Sequence, residues 1–413
     1  RKPWYDLYEA IATSREAFQA MDKKGLKVGL VNATTPDGAD TPRARVFTKF
    51  IIGVSNIYLG MLYDQAYVND ANTDVSSFEY VLKPHPEVTA AGIRVLQEAI
   101  TEAQAAPAFT IPSIFINNAT GISKDDFIRI MRSYIIRAQV YSARTPQERA
   151  AVNWASILTQ LDAGINKNFS QQADLTITQT ASAYYQYAYL QTNGRTNNRL
   201  IGPADTSGEY QRWLARPLNQ KTAITIVTPD RRIHGAAGPT TAGTAFAFLP
   251  TQTMTNARGT YPWSSYRSVK YLNPPANNYH QTGVITTMSV AEMNFIRAEA
   301  LFRLNRGAEA AAIINVTRQA AGLRPVTAAG PPAGADCVPR KDDGTCGDLF
   351  DAIQYEKRID LFPTEAIIAY VDARGWGKLL PGTPIHLPVH GRELETLGFP
   401  YYTFGGGGVG SAP

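Results

Sequence analysis

Apolar residues recur at intervals of three and four along most of the chain, and the most regular stretch is residues 289–323, SVAEMNFIRAEALFRLNRGAEAAAIINVTRQAAGL. Ser289 followed three positions later by Glu292 has the spacing of a capping box, in which hydroxyl and carboxylate each satisfy a free backbone N–H at a helix start. Val290, Met293, Ile296 or Arg297, and Ala300 form an apolar stripe that Leu301 and Leu304 continue, with Arg297, Glu299 and Arg303 on the polar face. Gly307 is expected to end this helix in the left-handed conformation, and a second helix is predicted from about Ala308 to Ala321, stopping at Gly322 ahead of Pro325. Small side chains at Ala298, Ala300, Ala310, Ala311 and Ala312 let the two helices approach closely.

One such pair cannot bury its own apolar face, so similar pairs are expected elsewhere. PWYDLYEAIATSREAFQAMDKKG reads as a helix closing at Gly25, Thr41–Pro42 opens a second, and a third is predicted from about Pro86 to Gln104. Ser123 with Asp126 resembles another cap, opening KDDFIRIMRSYIIRAQVYSAR; Thr145, Pro146 and Glu148 start a helix predicted to run to Gly164. DLFDAIQYEKRIDLF and PTEAIIAYVDARGWGKLL supply a further helical region. The shared module is a helix–turn–helix of roughly 34 residues, the tetratricopeptide period, without that repeat's full signature. The fold class is therefore mostly α: tetratricopeptide-like hairpins forming a scaffold, with a loop-rich inserted lobe. Residues 1–413 are expected to be a single domain, with scaffold at 1–169 and 289–380, the lobe at 170–288 and an extended C-terminal segment at 381–413.

Net charge is +5 with a pI near 9.0, but the basic residues are dispersed and balanced by acids, so the footprint of a nucleic-acid binder is missing. No apolar run reaches the about 20 residues that span a bilayer, and the longest, Phe50 to Leu62, suits a buried helix. Cys337 and Cys346 close a short Gly/Pro-rich loop and read as a disulfide, which implies an oxidising or extracytoplasmic location; two free thiols are the alternative.

Candidates for chemistry are sparse. His386 and His390 have Pro388 between them and do not share a helical face, which argues against zinc. Ser55 in GVSNI lacks the second glycine of a nucleophile elbow. Asp70, Asn72 and Asp74 in NDANTD could offer oxygens to calcium, yet lack the glycine and distal glutamate of an EF-hand loop and read as a polar turn. Glu356 and Asp360, beside Lys357 and Arg358, read as a solvated or salt-bridged face rather than a hydrolytic pair. No cofactor or metal is called for, and no enzymatic activity. The aromatic residues of the lobe carry more information: Tyr184, Tyr185, Tyr187, Tyr189, Tyr210, Trp213, Tyr261, Trp263, Tyr266, Tyr271 and Tyr279 are mixed with Asn, Arg and Gln. Exposed rings stack on sugar C–H faces while amides and guanidinium groups bond hydroxyls; alternatively the rings pack the lobe onto the helices with polar tips at its surface.

The motifs AEMNFIRAEALFRLNRGAEAAAIINVTRQAAGL, LFDAIQYEKRIDLF, YVDARGWGKL and PIHLPVHGREL stand in the same order as in the SusD/RagB family of outer-membrane nutrient-binding lipoproteins, which the chain resembles over essentially its whole length. The four together are specific; any one alone is not. His390 stands where that family usually has proline. The resemblance implies a SusD-like α/α superhelix on the extracellular face of the outer membrane of Bacteroidetes-type bacteria. It further implies a lid over a SusC-like TonB-dependent barrel, capturing oligosaccharides or peptides for import, with no catalysis. Family members begin with a signal peptide and a lipidated cysteine, whereas this chain starts at Arg1 inside the first helical pair, so a truncated or processed form is expected, its lipid anchor outside this chain. The family's ligand-contacting aromatics lie in variable loops; Trp213, Arg258, Tyr261, Trp263, Tyr266 and Asn278 are the ligand-binding candidates from composition alone. The alternative is a structural subunit of a surface layer or extracellular assembly on the same scaffold, motivated by the missing anchor segment and the tail FGGGGVGSAP.

Overall fold

Three long helices open the chain: α1 (Lys2–Lys23), α2 (Thr41–Leu62) and α3 (His85–Ala105). The computed structural model to which these belong describes residues 2–29, 37–77, 79–173, 195–250, 263–270, 283–364 and 367–402. Glycines set how closely α2 and α3 pack. A Cβ on Gly92 would lie 2.7 Å from the Gly53 carbonyl oxygen, and one on Gly60 would lie 2.2 Å from Thr89 Oγ1, so the two backbones touch where any side chain would hold them apart. Two short antiparallel ribbons, β1 (Gln65–Ala66) with β2 (Lys83–Pro84) and β3 (Thr110–Ile111) with β4 (Ile122–Ser123), flank α3 and α4 (Ser113–Ile116).

Helix α5 (Lys124–Tyr141) starts where expected, with Ser123 Oγ accepting from the Asp126 N–H at 3.2 Å. The helix predicted from Thr145 to Gly164 is instead two, α6 (Pro146–Ala150) and α7 (Trp154–Leu161). Asn153 is the reason: its side-chain oxygen accepts from the Ser156 N–H at 3.1 Å, giving the backbone a new N-cap in place of a continuous ladder.

The lobe carries β5 (Phe169–Ala173), β6 (Arg195–Asn197), α8 (Asn198–Ile201), α9 (Glu209–Ala215), β7 (Phe246–Phe248), β8 (Trp263–Ser268) and β9 (Gly283–Met288). β5 pairs antiparallel with β9, and β6, β8 and β7 form an antiparallel sheet in that order.

The hairpin legible from residue 289 is α10 (Val290–Arg303) and α11 (Gly307–Ala320). Its turn differs from expectation: Asn305, at φ 59°, takes the left-handed position, and Gly307 begins α11 rather than ending α10. Asparagine tolerates that region because its short amide bonds locally. Helices α12 (Leu349–Leu361) and α13 (Ile367–Gly375) follow, and the extended C-terminal segment includes α14 (Gly391–Thr396), capped by the His390 ring nitrogen. Among the described residues fourteen α-helices hold about half of the positions, and the architecture is mostly α.

Three apolar clusters fill the interior. The largest joins α2, α3, α5, α7, α10, α11 and α12; a second, including Trp213, Phe246, Tyr266 and Tyr355, attaches the lobe to α12; a third packs α1 under the C-terminal segment around Trp4, Tyr67 and Leu394.

The polar face predicted for α10 is corrected here, and of the two readings of α12 the salt-bridged one holds at Glu356 and Lys357, inside the protein rather than on its surface. Glu292, Glu299 and Glu356 are each wholly inaccessible. Ser289 caps the Glu292 N–H at 3.0 Å, but the Glu292 carboxylate does not return to the cap: it accepts from Arg137 Nε at 2.8 Å and Tyr141 O–H at 2.9 Å. Glu299 accepts from Arg149 Nε at 3.0 Å and Nη2 at 2.6 Å, from Arg303 and from the Trp376 indole, while Arg149 also reaches Asp372 at 3.1 Å. Lys357 closes this network on Asp372 at 2.8 Å. Glu356 binds Arg232 at 2.7 Å, Arg318 at 3.2 Å and Thr317 at 2.8 Å. Helix α10 packs against α7, α11 and α12, which cover the side carrying Glu292 and Glu299 and leave only a strip at Asn294 and Arg297 to water. Each acid survives burial because a guanidinium accompanies it.

Candidate ligand-binding cleft

The residues proposed from composition fall into three groups. Trp213 and Tyr266 belong to the second apolar cluster. Trp213 is 1% exposed and stacks on Tyr210 at 6.0 Å between centroids, with Lys221 over its ring; Tyr266 is 0% exposed, its hydroxyl donating to the Pro239 carbonyl and accepting from the Ile226 N–H. These rings hold the lobe together and offer no free face. Trp263, at the head of β8, is half-buried, and its carbonyl accepts from Asn198 Nδ2 at 3.2 Å. Arg258, Tyr261 and Asn278 lie outside the described residues, as do Tyr184, Tyr185, Tyr187, Tyr189, Tyr271, Tyr279 and the glycine-rich tail. The Cys337–Cys346 disulfide is present.

Where the lobe meets the scaffold, a cleft of about 500 Å³ opens between α8, α9, the disulfide loop and α12. Local chemistry makes its walls firm. The disulfide closes the loop, inside which Arg340 donates to the carbonyls of Gly344, Gly334 and Ala335; its backbone N–H bonds the Pro203 carbonyl at 2.7 Å, tying loop to lobe. Helix α12 starts with the reciprocal box that α10 lacks: Asp348 accepts from the Asp351 N–H at 3.0 Å, and Asp351 accepts from the Asp348 N–H at 3.2 Å. Tyr355 donates to Asp230 at 2.6 Å, and Trp376 to Glu299 at 3.2 Å, so aromatic side chains of the floor are anchored in the buried ionic networks. Burial pushes the Tyr210 hydroxyl up to about 12, keeping it a neutral donor.

Charge at the rim is mostly paired. Lys341 lies 3.4 Å from both Asp348 and Asp351, Lys378 3.8 Å from Asp351, and Arg199 3.9 Å from Asp342. Two side chains one turn apart on α12 differ. Gln354 is 7% exposed and its amide makes no hydrogen bond among the described residues. Arg358 makes one, from Nη2 to the Arg199 carbonyl at 2.9 Å, and no ion pair among the described residues; burial lowers its pKa from the ordinary value, against the attraction of Tyr210 and Asp342. Sequence reasoning passed over both because Arg358 beside Glu356 and Asp360 has the look of a solvated face. The available sign was the clash of that reading with Ile353, Ile359 and Leu361, which leave α12 little room for a polar side.

A smaller recess of about 240 Å³ between the α4–β4 connection and β5 is lined by amides, but its Asn118 and Asn168 already bond the Ser170 carbonyl and the Val290 N–H. Among the described residues no group of three or more His, Cys, Asp and Glu could hold a metal, and Asp70 and Asp74 spend their carboxylates on the backbone of their own turns. Among the described residues no helix is long and apolar enough to cross a membrane.

The sequence pattern of the SusD family matches residues 155–364. Among solved structures, a SusD superfamily protein from Bacteroides vulgatus ATCC 8482 is similar at a TM-score of 0.53 and 13% identity, over 91% of this chain and 74% of that one. A SusD/RagB family protein from Bacteroides thetaiotaomicron VPI-5482 aligns over 98% and 78% at 13% identity and a TM-score of 0.49, and a SusD-like carbohydrate binding protein from Bacteroides vulgatus ATCC 8482 over 92% and 72% at 16% identity and 0.46. At such identities the likeness speaks for the fold alone. No curated protein matches the chain.

Proposed function

From the premise that the chain belongs to the SusD family, whose members are non-catalytic carbohydrate-binding proteins associated with the outer-membrane surface, we propose that it captures oligosaccharides at the cell surface and delivers them to a SusC-like TonB-dependent transporter. The observation that carries the location is the cleft: about 500 Å³, within the range of roughly 300–1,000 Å³ usual for small-ligand sites, with the unbonded amide of Gln354 and the half-buried, sparsely bonded guanidinium of Arg358 beside anchored aromatic rings. Sugars suit such a surface, since amide and guanidinium groups bond hydroxyls in pairs while rings cover C–H faces. Trp263, Arg258, Tyr261 and Asn278 remain candidate contacts, and a lipid anchor outside this chain would hold the protein to the membrane.

Binding of the purified protein to a panel of immobilised oligosaccharides tests capture, and hydrogen exchange with the best binder tests the place. Protection is expected on α8, α9, residues 339–342 and α12; protection confined to other segments refutes the cleft. Recovery of a large TonB-dependent barrel with this protein from native outer membranes is the expected sign of delivery, and its consistent absence refutes that step.

A further inference from the structure

Apart from Arg15, which bonds the Asn69 amide oxygen at 2.9 Å, the buried arginines among the described residues are richly partnered, and half-buried Arg358 is not. Arg137, Arg149, Arg232 and Arg318 each meet a carboxylate. Arg144 and Arg374 meet none, but each donates to four backbone carbonyls, Arg144 to those of Gly60, Met61, Tyr63 and Ile385, and Arg374 to those of Met61, Tyr141, Ala143 and Ile385. Arg358 has a single carbonyl for its five N–H donors, and it lines a cleft rather than the core. Gln354, four residues earlier on the same face of α12, lines the same cleft and makes no hydrogen bond among the described residues. A half-buried, permanently charged fork beside an unspent amide is complementary to a planar anion carrying adjacent hydroxyls.

We infer that the cleft selects acidic oligosaccharides, with Arg358 holding the carboxylate of a uronate residue and Gln354 bonding an adjacent hydroxyl. The inference rests on the glycan-capture reading above. It assigns the charge preference to this one guanidinium, because the remaining cleft cations are already engaged: Lys341 and Lys378 with Asp348 and Asp351, Arg199 with Asp342, and Arg340 with the carbonyls of its own loop. A neutral sugar covering the cleft would strip water from Arg358 and leave its donors unmet, whereas a carboxylate would give it the pairing that Arg137, Arg149, Arg232 and Arg318 have.

The test is calorimetric titration of the full chain with three probes of equal length: an oligogalacturonate, its fully methyl-esterified form and a neutral oligoglucoside. The ester keeps the shape and removes the charge, so comparison on the unmodified protein needs no variant. The acid is expected to bind about ten- to a hundred-fold tighter than the ester, the worth of a charge-assisted hydrogen-bonded pair. Arg358→Met is expected to remove that difference while keeping the affinity for the ester, and Gln354→Leu to weaken acid and ester together. Equal binding of acid and ester, or binding of the neutral probe alone, overturns the acidic preference and leaves glycan capture standing. Tighter binding of a sulfated oligosaccharide than of the uronate overturns the carboxylate assignment. Binding of an acidic peptide but of none of the sugars overturns both this inference and the glycan reading.

Discussion

Arg149→Met tests whether the buried ionic network is a structural requirement. The substitution keeps most of the side-chain volume but deletes both bonds to Glu299, the bond to Asp372 and the bond from Nη1 to the Val140 carbonyl at 2.7 Å, leaving two carboxylates in the core. Burial alone pushes the Glu299 carboxyl up; Arg149, aided by Lys357 and Arg303, outweighs it and holds it at about 2. Against an ordinary glutamate at 4.5, a carboxyl held at about 2 contributes on the order of 3 kcal/mol at neutral pH. Arg149 is the chief counter-charge, and removing one partner of a buried pair ordinarily costs about 3–5 kcal/mol, so a loss of about 3 kcal/mol is expected. Urea unfolding at pH 7 reads it directly. The pH dependence follows in sign: Glu299's pKa is depressed in the folded state, so its contribution is present above about 4.5 and is lost as pH falls toward about 2, narrowing the gap between wild type and variant. The Arg149→Met/Glu299→Leu double variant should recover much of the loss, because the glutamate left uncompensated by the single change is gone. A single-variant cost below about 1 kcal/mol would refute the reasoning, since a buried carboxylate cannot lose its chief counter-charge so cheaply.

Burial, then Arg144 and Arg374, lowers His386 to about 4 and His85 to about 3, so both stay neutral in the folded protein while the unfolded chain takes up protons below about 6.5. Stability is therefore expected to fall as pH drops from 6.5 toward 4, and His386→Asn should flatten that slope by about 1–2 kcal/mol after allowance for its partial solvation, as followed by unfolding at a series of pH values. Gly92→Ala places a methyl 2.7 Å from the Gly53 carbonyl oxygen and 2.8 Å from the Ile57 backbone nitrogen; separating α2 from α3 is expected to cost about 1–3 kcal/mol in thermal unfolding, whereas Gly382→Ala, where a Cβ meets nothing within 4 Å, carries only the strain of its φ of 82°. Replacing Cys337 and Cys346 by serine frees the loop that forms one wall of the cleft, with an expected loss of about 2–3 kcal/mol in stability and weaker binding of the preferred oligosaccharide by titration.

Helices were legible wherever apolar spacing agreed with a cap, as at Ser123 and Ser289, because both signals are local. What failed was also local, but ambiguous. Asn153 and Asn305 act through one side-chain bond and one left-handed residue, and asparagine inside an otherwise helical stretch gives no warning of either. Burial of acids was illegible for a different reason. Glu299 beside Arg303 is the spacing of a surface pair, and what reverses the reading is the presence of α7 and α12 across from it. One trace did exist: Glu292, Ile296, Glu299 and Arg303 share a face, and an isoleucine on a solvated stripe is out of place. Aromatic composition likewise could not separate rings that pack, such as Trp213 and Tyr266, from rings a ligand could reach. The cleft itself joins residues near 200, 210, 340 and 355, a convergence that exists only after the lobe has docked on α12.

Helix α12 faces two ways at once. Gln354 and Arg358 look into the cleft, while Glu356 and Lys357 are clamped to Arg232, Arg318 and Asp372 on the side away from it. Sliding or turning this helix to follow a ligand would tear ion pairs out of a dry interior, so on the proposed reading the cleft is a rigid mould in which binding would carry little reorganisation cost. The same stiffness removes any internal spring for letting go. Discharge of a bound sugar would then have to be imposed from outside, by displacement of the whole body or by competition from the next site along the route.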